Sequence, residues 1–272
     1  MKIVGLITEY NPFHNGHLHH IKEARRVTGA DAVIVVMSGD YVQRGVPAVM
    51  PKRLRAEMAL SCGASAVFEL PVCYAAGSAE YFAMGSVSLL DSLGVVDSIC
   101  FGSECNDLDA LSHVADILSR EPDDYRSLLR KNLKKGVSFP SARHDALLEY
   151  TQIPAYAALL DDPNNILGIE YLKALKKLHS HMAPFTIQRE GSHYHDKKLS
   201  SENFSSASAI RSLLAYSGST LSTDRSGGTF EDTDFSRILG EVGEQVPSCC
   251  LELLKDYHRV QYPVYQNDFS II

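Results

Sequence analysis

His14 and His17 enclose Gly16 in the segment Thr8-Glu9-Tyr10-Asn11-Pro12-Phe13-His14-Asn15-Gly16-His17. An apolar run, Ile3-Val4-Gly5-Leu6-Ile7, precedes this segment and reads as a strand. Residues 18–27 follow with helical spacing. A strand, a turn and a helix start bring outward backbone N–H groups and the positive end of a helix dipole to one point, which suits a phosphate. Residues three apart project from the same side of a first helical turn, so both imidazoles can be aimed at one phosphorus. Negative charge grows there when an α-phosphate is attacked, and such donors stabilise it. Gly16 has no side chain and lets a ligand reach the backbone. Ile7, Thr8, Glu9, Tyr10, Asn11, Pro12, Phe13, Asn15, Leu18, His19 and His20 complete the expected wall of a nucleotide site. On the residues alone two alternatives stay open. One is a surface cluster of helix-start histidines; the other is a zinc site, which only Glu9 could help to complete.

Further candidates follow along the chain. In Phe204-Ser205-Ser206-Ala207-Ser208-Ala209-Ile210-Arg211, Ser205 and Ser206 precede a helix, where hydroxyls can cap it or donate to phosphate oxygens. Arg211 falls in its first turn, placed to clamp a β- or γ-phosphate. In Pro163-Asn164-Asn165-Ile166-Leu167-Gly168-Ile169-Glu170-Tyr171 an Asn can cap the helix or bond an adenine or ribose edge, and Asn165 is the candidate. Arg189, at a strand end, can meet phosphate or adenine. Asp40, in Ser38-Gly39-Asp40-Tyr41-Val42-Gln43-Arg44-Gly45, can bind the Mg²⁺ of an ATP complex or orient a substrate, against the plain reading of an Asx turn. Arg44 can hold a carboxylate. Two basic runs, 52–55 and 130–135, are candidate phosphate contacts for a nucleic acid, or simply solvated helix faces.

The elements that must position these residues alternate. Strands are expected at 3–7, 32–37, 66–70 and 98–102, with helices at 18–27, 52–61 and 78–93 between them. Such alternation implies an α/β fold with a parallel sheet, whose ligands bind beyond the carboxyl ends of the strands. His14, the 38–40 turn and Gly102-Ser103-Glu104 all fall there and should converge on one crevice. Residues 107–178 read as a helical insertion, with helices at 107–120, 124–135, 141–151 and 165–178. A strand over 184–189, a polar loop over 191–206 and a helix over 208–216 complete a domain spanning 1–216. Residues 217–234, rich in Ser, Thr, Gly and Asp, read as a linker, and 235–272 as the start of a C-terminal helical region cut short.

The chain has 272 residues, 45% of them hydrophobic, and a net charge of −7, which excludes a generally basic nucleic-acid coat but not a local basic face. Six cysteines contain no C-x-x-C pair, and adjacent Cys249-Cys250 is not a zinc spacing, so no metal site is expected and a reducing, cytoplasmic compartment fits. No apolar stretch reaches membrane-spanning length.

The His-x-Gly-His tetrapeptide after a first strand, with the Ser-Ser-x-x-x-Ile-Arg block, resembles the HIGH-type signatures of nucleotidyltransferases. The ordered blocks Gly-Leu-Ile-Thr-Glu-Tyr-Asn-Pro-Phe-His-Asn-Gly-His, Met-Ser-Gly-Asp-Tyr-Val-Gln-Arg-Gly, Phe-Glu-Leu-Pro-Val, Phe-Gly-Ser-Glu and Pro-Asn-Asn-Ile-Leu-Gly-Ile-Glu-Tyr resemble, more narrowly, the tRNA(Met) cytidine acetate ligases. That resemblance implies a Rossmann-like parallel sheet of the HIGH nucleotidyltransferase type with an added helical region. It implies ATP as substrate with Mg²⁺, acetate activated as acetyl-adenylate, and acetylation of the wobble cytidine of elongator tRNA(Met) to N4-acetylcytidine. In that reaction His14 and His17 would act on the α-phosphate. Ser205, Ser206 and Arg211 would hold the pyrophosphate side, and Gly102, Asn165 and Arg189 would fix adenosine. The rival expectations are adenylyl transfer to a small phosphorylated acceptor, and a non-catalytic ATP-binding module associated with RNA.

Overall fold

The computed structural model describes residues 1–189, 206–218 and 239–260. Its strands are β1 (Ile3–Thr8), β2 (Ala32–Ser38), β3 (Ala66–Leu70), β4 (Ser98–Ser103) and β5 (Ala183–Gln188). They form one sheet in the order β3-β2-β1-β4-β5, and every pair is parallel. The register runs from Ile3 opposite Ala32 to Thr8 opposite Met37, and from Ser98 opposite Ala183 to Ser103 opposite Gln188. Pro184, which has no N–H to donate, sits on an edge strand, where one side of the backbone needs no partner.

The helices are α1 (Asn15–Thr28), α2 (Lys52–Ser61), α3 (Val72–Ala75), α4 (Ala79–Ser92), α5 (Leu108–Arg120), α6 (Asp123–Leu133), α7 (Phe139–Thr151), α8 (Pro154–Ala158), α9 (Pro163–Lys177), α10 (Ala207–Gly218) and α11 (Ser248–Val260). Five of them, α5 to α9, form the expected insertion between β4 and β5. The short α3 and α8 were not legible as helices; α3 follows Pro71, α8 begins with Pro154, and each lasts about one turn. The first helix begins at Asn15, three residues before the apolar spacing starts, because His14 caps it. Gly29, in the left-handed region at φ 64°, closes its other end.

Side chains alternate across the sheet and feed two cores. Ile3, Ile34, Val36, Ile99 and Phe101 face α4, α5 and α9 through Leu90, Leu111 and Ile169. Val4, Leu6, Val33, Val35 and Cys100 face α1, α2, α10 and α11 through Ile21, Met58, Ile210 and Leu254. Gly5 is required here: a Cβ would lie 2.7 Å from a Leu90 methyl, so the missing side chain lets α4 press onto β1. With both faces of a parallel sheet covered, its carboxyl edge is left to form a site. Ser205, the expected linker beyond Gly218 and the last twelve residues lie outside the described residues. Ser217 and Gly218, expected in that linker, belong to α10.

Candidate active site

His14 is the N-cap of α1, with extended backbone at φ −146°. Its Nδ1 accepts from the Gly16 N–H at 3.1 Å, and Nδ1 of His17 accepts from the His14 N–H at 3.3 Å. The two rings thus cap the helix reciprocally, as Ser and Glu do in a capping box. A ring nitrogen that accepts carries no proton, so each neutral ring keeps its proton on Nε2. The ring centroids are 3.8 Å apart. Burial pushes His14 down to about 3, with the charges of Arg189 and Arg211 adding to it. Burial also holds His17 well below the usual histidine value, followed by its neighbours His14 and Arg189. His20 is pushed down to about 4, again chiefly by burial. The pair therefore offers two neutral N–H donors, fixed in tautomer by the backbone they cap. The same bonds answer the zinc alternative: both Nδ1 atoms are already occupied.

The loop ahead of α1 is braced from several directions. Tyr10 adopts φ 47°, a left-handed conformation uncommon for a bulky residue. Its ring packs edge-on against Phe13 at 4.7 Å and His17 at 4.8 Å. The Asn11 side chain accepts from the Val49 N–H at 2.9 Å, and its carbonyl accepts from Arg211 Nη1 at 2.7 Å. Glu9 Oε1 accepts from the Gln43 N–H at 2.9 Å. Beneath the loop lies Arg55, fully buried, whose guanidinium donates to the carbonyls of Glu9, Ser38, Gly39 and Met50. Burial lowers its pKa to about 10, so it stays cationic near neutrality and ties the ends of β1 and β2 together. Of the basic run 52–55, Arg55 is thus withdrawn from the surface and Lys52 pairs with Glu69 at 2.7 Å, which leaves Arg53 as its exposed cation. In the run 130–135, Arg130, Lys131, Lys134 and Lys135 are exposed.

These elements open a crevice of about 550 Å³ at the carboxyl edge of the sheet. Ile7, Thr8, Glu9, Tyr10, Asn11, His14, Gly16, His17, His19, His20, Gly102, Arg189, Ser206 and Arg211 all line it; of the three turns expected to converge there, His14 and Gly102 reach the crevice, whereas the 38–40 turn, Ser103 and Glu104 do not. The N-termini of α1 and α10 both meet there. Ser206 caps α10, accepting from the Ala209 N–H at 3.1 Å, and Arg211 Nη2 donates to Ser208 Oγ at 3.0 Å.

Other expected residues take supporting places. Asp40 does not line the crevice: its carboxylate accepts from the Lys52 N–H at 2.9 Å, at the start of α2. Asn165 is buried and does not line the crevice; its Oδ1 accepts from the Glu104 and Cys105 N–H groups at 3.0 and 3.2 Å, so it holds the turn after β4. Its neighbour Asn164 lines the crevice instead, donating to Glu104 Oε1 at 2.5 Å. Pro12, Phe13, Asn15 and Leu18 are also absent from the wall. Phe13 is wholly buried behind His17, Leu18 packs into the core, and Asn15 donates to the carbonyls of Glu244 and Gln245 at 2.9 Å each. The side chain of Arg44 lies outside the described ones.

The wall also contains residues that sequence reasoning missed. Phe101, Ile166, Leu167, Tyr171 and Ile187 give it an apolar side near Gly102 and Arg189. Their signal was adjacency to quoted candidates at strand and helix ends. Gly77, Ser78 and Ala79, at the start of α4, carried no such signal.

The model of the HIGH nucleotidyl transferase family matches residues 1–272. The chain belongs to that family. Among its relatives, a Caldanaerobacter subterraneus protein described as tRNA(Met) cytidine acetate ligase is 46% identical over 273 residues, covering 100% of this chain and 63% of that protein. One from Acetivibrio thermocellus with the same description is 43% identical over 274 residues, covering 99% of the chain and 61% of the relative. The chain therefore spans somewhat over half the length of the relatives it matches. The crystal structure of Thermotoga maritima TmcAL bound with alpha-thio ATP superposes with a TM-score of 0.83 at 39% identity, over 98% of this chain and 58% of that one. The five-stranded parallel sheet is the architecture expected of a HIGH family member.

Proposed function

We propose that this chain binds ATP in the crevice and activates acetate as acetyl-adenylate. We further propose that the protein transfers the acetyl group to the wobble cytidine of elongator tRNA(Met), forming N4-acetylcytidine. The observation that carries the reading is the His14–His17 pair, two Nε2–H donors at a helix N-terminus within a crevice flanked by Arg189 and Arg211. The named relatives and the ATP-analogue complex of the T. maritima protein support the choice of substrates.

The chemistry follows from the wall. An acetate oxygen attacks the α-phosphorus, and the bond to the pyrophosphate oxygen breaks. Charge on the non-bridging oxygens is met by the two Nε2–H groups, each such donor contributing about 10²–10³ in rate. The departing pyrophosphate, anionic throughout, is met by Arg211, Ser206 and the N–H groups that open α10. Gly102 and the apolar side, with Phe101 and Ile187, suit an adenine ring. In the second step the cytosine 4-amino group attacks the acetyl carbonyl, the bond to the AMP oxygen breaks, AMP leaves, and the amine proton passes to solvent. No enzyme nucleophile is needed, because the mixed anhydride is already activated. Mg²⁺ would lower the charge of the triphosphate. Glu9 is the one carboxylate among the described lining residues, so the ion would ride largely on phosphate oxygens and water. The exposed cations of 130–135 are the candidate tRNA contact, and cytoplasmic residence accords with the free thiols and with described helices none of which is long and apolar enough to cross a membrane.

The test is acetate-dependent exchange of labelled pyrophosphate into ATP, followed by transfer of labelled acetate to total tRNA. His17→Asn should lower the exchange by about 10²–10³ while ATP affinity changes less than about tenfold. Exchange that ignores acetate, or label absent from cytidine with the complete protein, overturns the reading.

A further inference from the structure

Outside the crevice, three thiols meet that the chemistry above does not use. Cys62 is the C-cap of α2, and Cys249 and Cys250 lie in the first turn of α11. Cys62 Sγ is 3.7 Å from Cys249 Sγ and 3.5 Å from Cys250 Sγ, and all three sulfurs lie within 4.8 Å of one another. Cys62 and Cys250 are buried and Cys249 is half-buried, so the group is shielded but reachable from one side. The pairs are separated by 187 and 188 residues in sequence, which is why the spacing of Cys249 and Cys250 gave no sign of a site.

Three features make this more than apolar packing of thiols. A tetrahedral zinc ion holds sulfurs at about 2.3 Å, which sets them about 3.8 Å from one another, close to the separations found here. Cys249 and Cys250 stand in the first turn of α11, at the positive end of its dipole, which favours anionic sulfur. The ligands also come from two helices far apart in the sequence that pack side by side in one core, so an ion there would join them directly. We propose that Cys62, Cys249 and Cys250 form a three-thiolate Zn²⁺ site that clamps α11 to the end of α2, with water as the fourth ligand. Each thiol releases its proton to solvent as its sulfur binds the ion, and no electron is transferred.

The clamp has a bearing on the crevice. The segment just before α11 supplies the Glu244 and Gln245 carbonyls that accept from Asn15, the first residue of α1. Fixing α11 therefore fixes the brace on the helix start that His14 caps. The proposal goes beyond the acetate-activating reading and does not depend on it.

Co²⁺ titration of the reduced, metal-free chain tests the site. Thiolate-to-cobalt charge-transfer absorption should saturate at one equivalent and be bleached by one equivalent of Zn²⁺; binding at the histidine cluster would give no such absorption. Cys62→Ser and, at the half-buried position, Cys249→Ser should each weaken binding by at least about 100-fold, since losing an outer-shell partner alone costs up to that. Zn²⁺ should raise the thermal midpoint of the parent chain but not of Cys249→Ser, each checked as folded by circular dichroism. Absence of charge-transfer absorption in the parent chain, or undiminished binding in both variants, overturns the proposal.

Discussion

Acid should unfold this chain early, and the histidines that build the crevice are the reason. Unfolded, each ring binds a proton below about pH 6.5. Folded, His14 stays neutral down to about 3 and His20 to about 4, while His17 is held well below its ordinary value, each chiefly by burial. Between those limits the unfolded state binds more protons, so the stability is present above about pH 6.5 and is lost as pH falls toward the folded values. For one such ring, going from about pH 7 to about pH 5 costs about 1.9 kcal/mol. His14 and His20 together cost about 4 kcal/mol, and His17 adds in the same direction, a large share of the ~5–15 kcal/mol typical of a domain. Carboxylates remain mostly ionised at about pH 5 and add little. The variant His14→Asn isolates one ring, because Asn is a strong N-cap and can keep α1 closed at its start. Its loss over the same range should be smaller by about 2 kcal/mol. The chain has no tryptophan, so urea unfolding is best followed by far-ultraviolet circular dichroism, at about pH 7, 6 and 5. Stability that is flat over that range, or identical slopes for the parent chain and His14→Asn, would refute the burial of neutral imidazoles.

Three further outcomes follow from particular contacts. Gly102→Val should weaken ATP binding by more than about tenfold in calorimetry yet shift the thermal midpoint by less than about 2 °C, because a Cβ at Gly102 meets nothing within 4 Å in the protein and Gly102 lines the crevice. Asn165→Ala should cost about 2–4 kcal/mol in urea unfolding by leaving the Glu104 and Cys105 N–H groups without their acceptor. Lost ATP binding with stability intact would instead place Asn165 on the nucleotide. Arg55→Met should destabilise by about 3–5 kcal/mol, since four carbonyls at the ends of β1 and β2 and before α2 lose their shared donor. A cost below about 1 kcal/mol would show that the staple is dispensable.

What could be read directly from the chain was local. The continuous apolar run at 32–37 was legible as a strand buried on both faces and 66–70 as a further strand, because such signals act over a few residues, whereas the exposure of 66–70 follows from its place at the sheet edge. The pair His14 and His17 was legible for the same reason: spacing along one turn and position after a strand are properties of the nearest neighbours. Misreadings arose where a residue type serves two purposes and the choice depends on distant partners. Asn165 and Asn164 are chemically alike and adjacent, but the turn after β4 claims the first and leaves the second to the crevice. Asp40 reads as a metal ligand or as the start of an Asx turn, and its carboxylate instead accepts from the N–H of Lys52, twelve residues on.

The alternating elements, the parallel sheet they imply and a phosphate-suited helix start carrying two imidazoles are written in the order of the residues. The strand order β3-β2-β1-β4-β5, the burial that keeps those imidazoles neutral, and the fate of Arg55, which looked like part of a basic surface and is instead the buried tie beneath the loop, emerge from the packing. It alone brought Cys62 beside Cys249 and Cys250. The physical reason is range: periodicity and capping are set within a turn or a strand, whereas burial, charge compensation and sulfur clustering depend on which distant segments the two cores pack against each other.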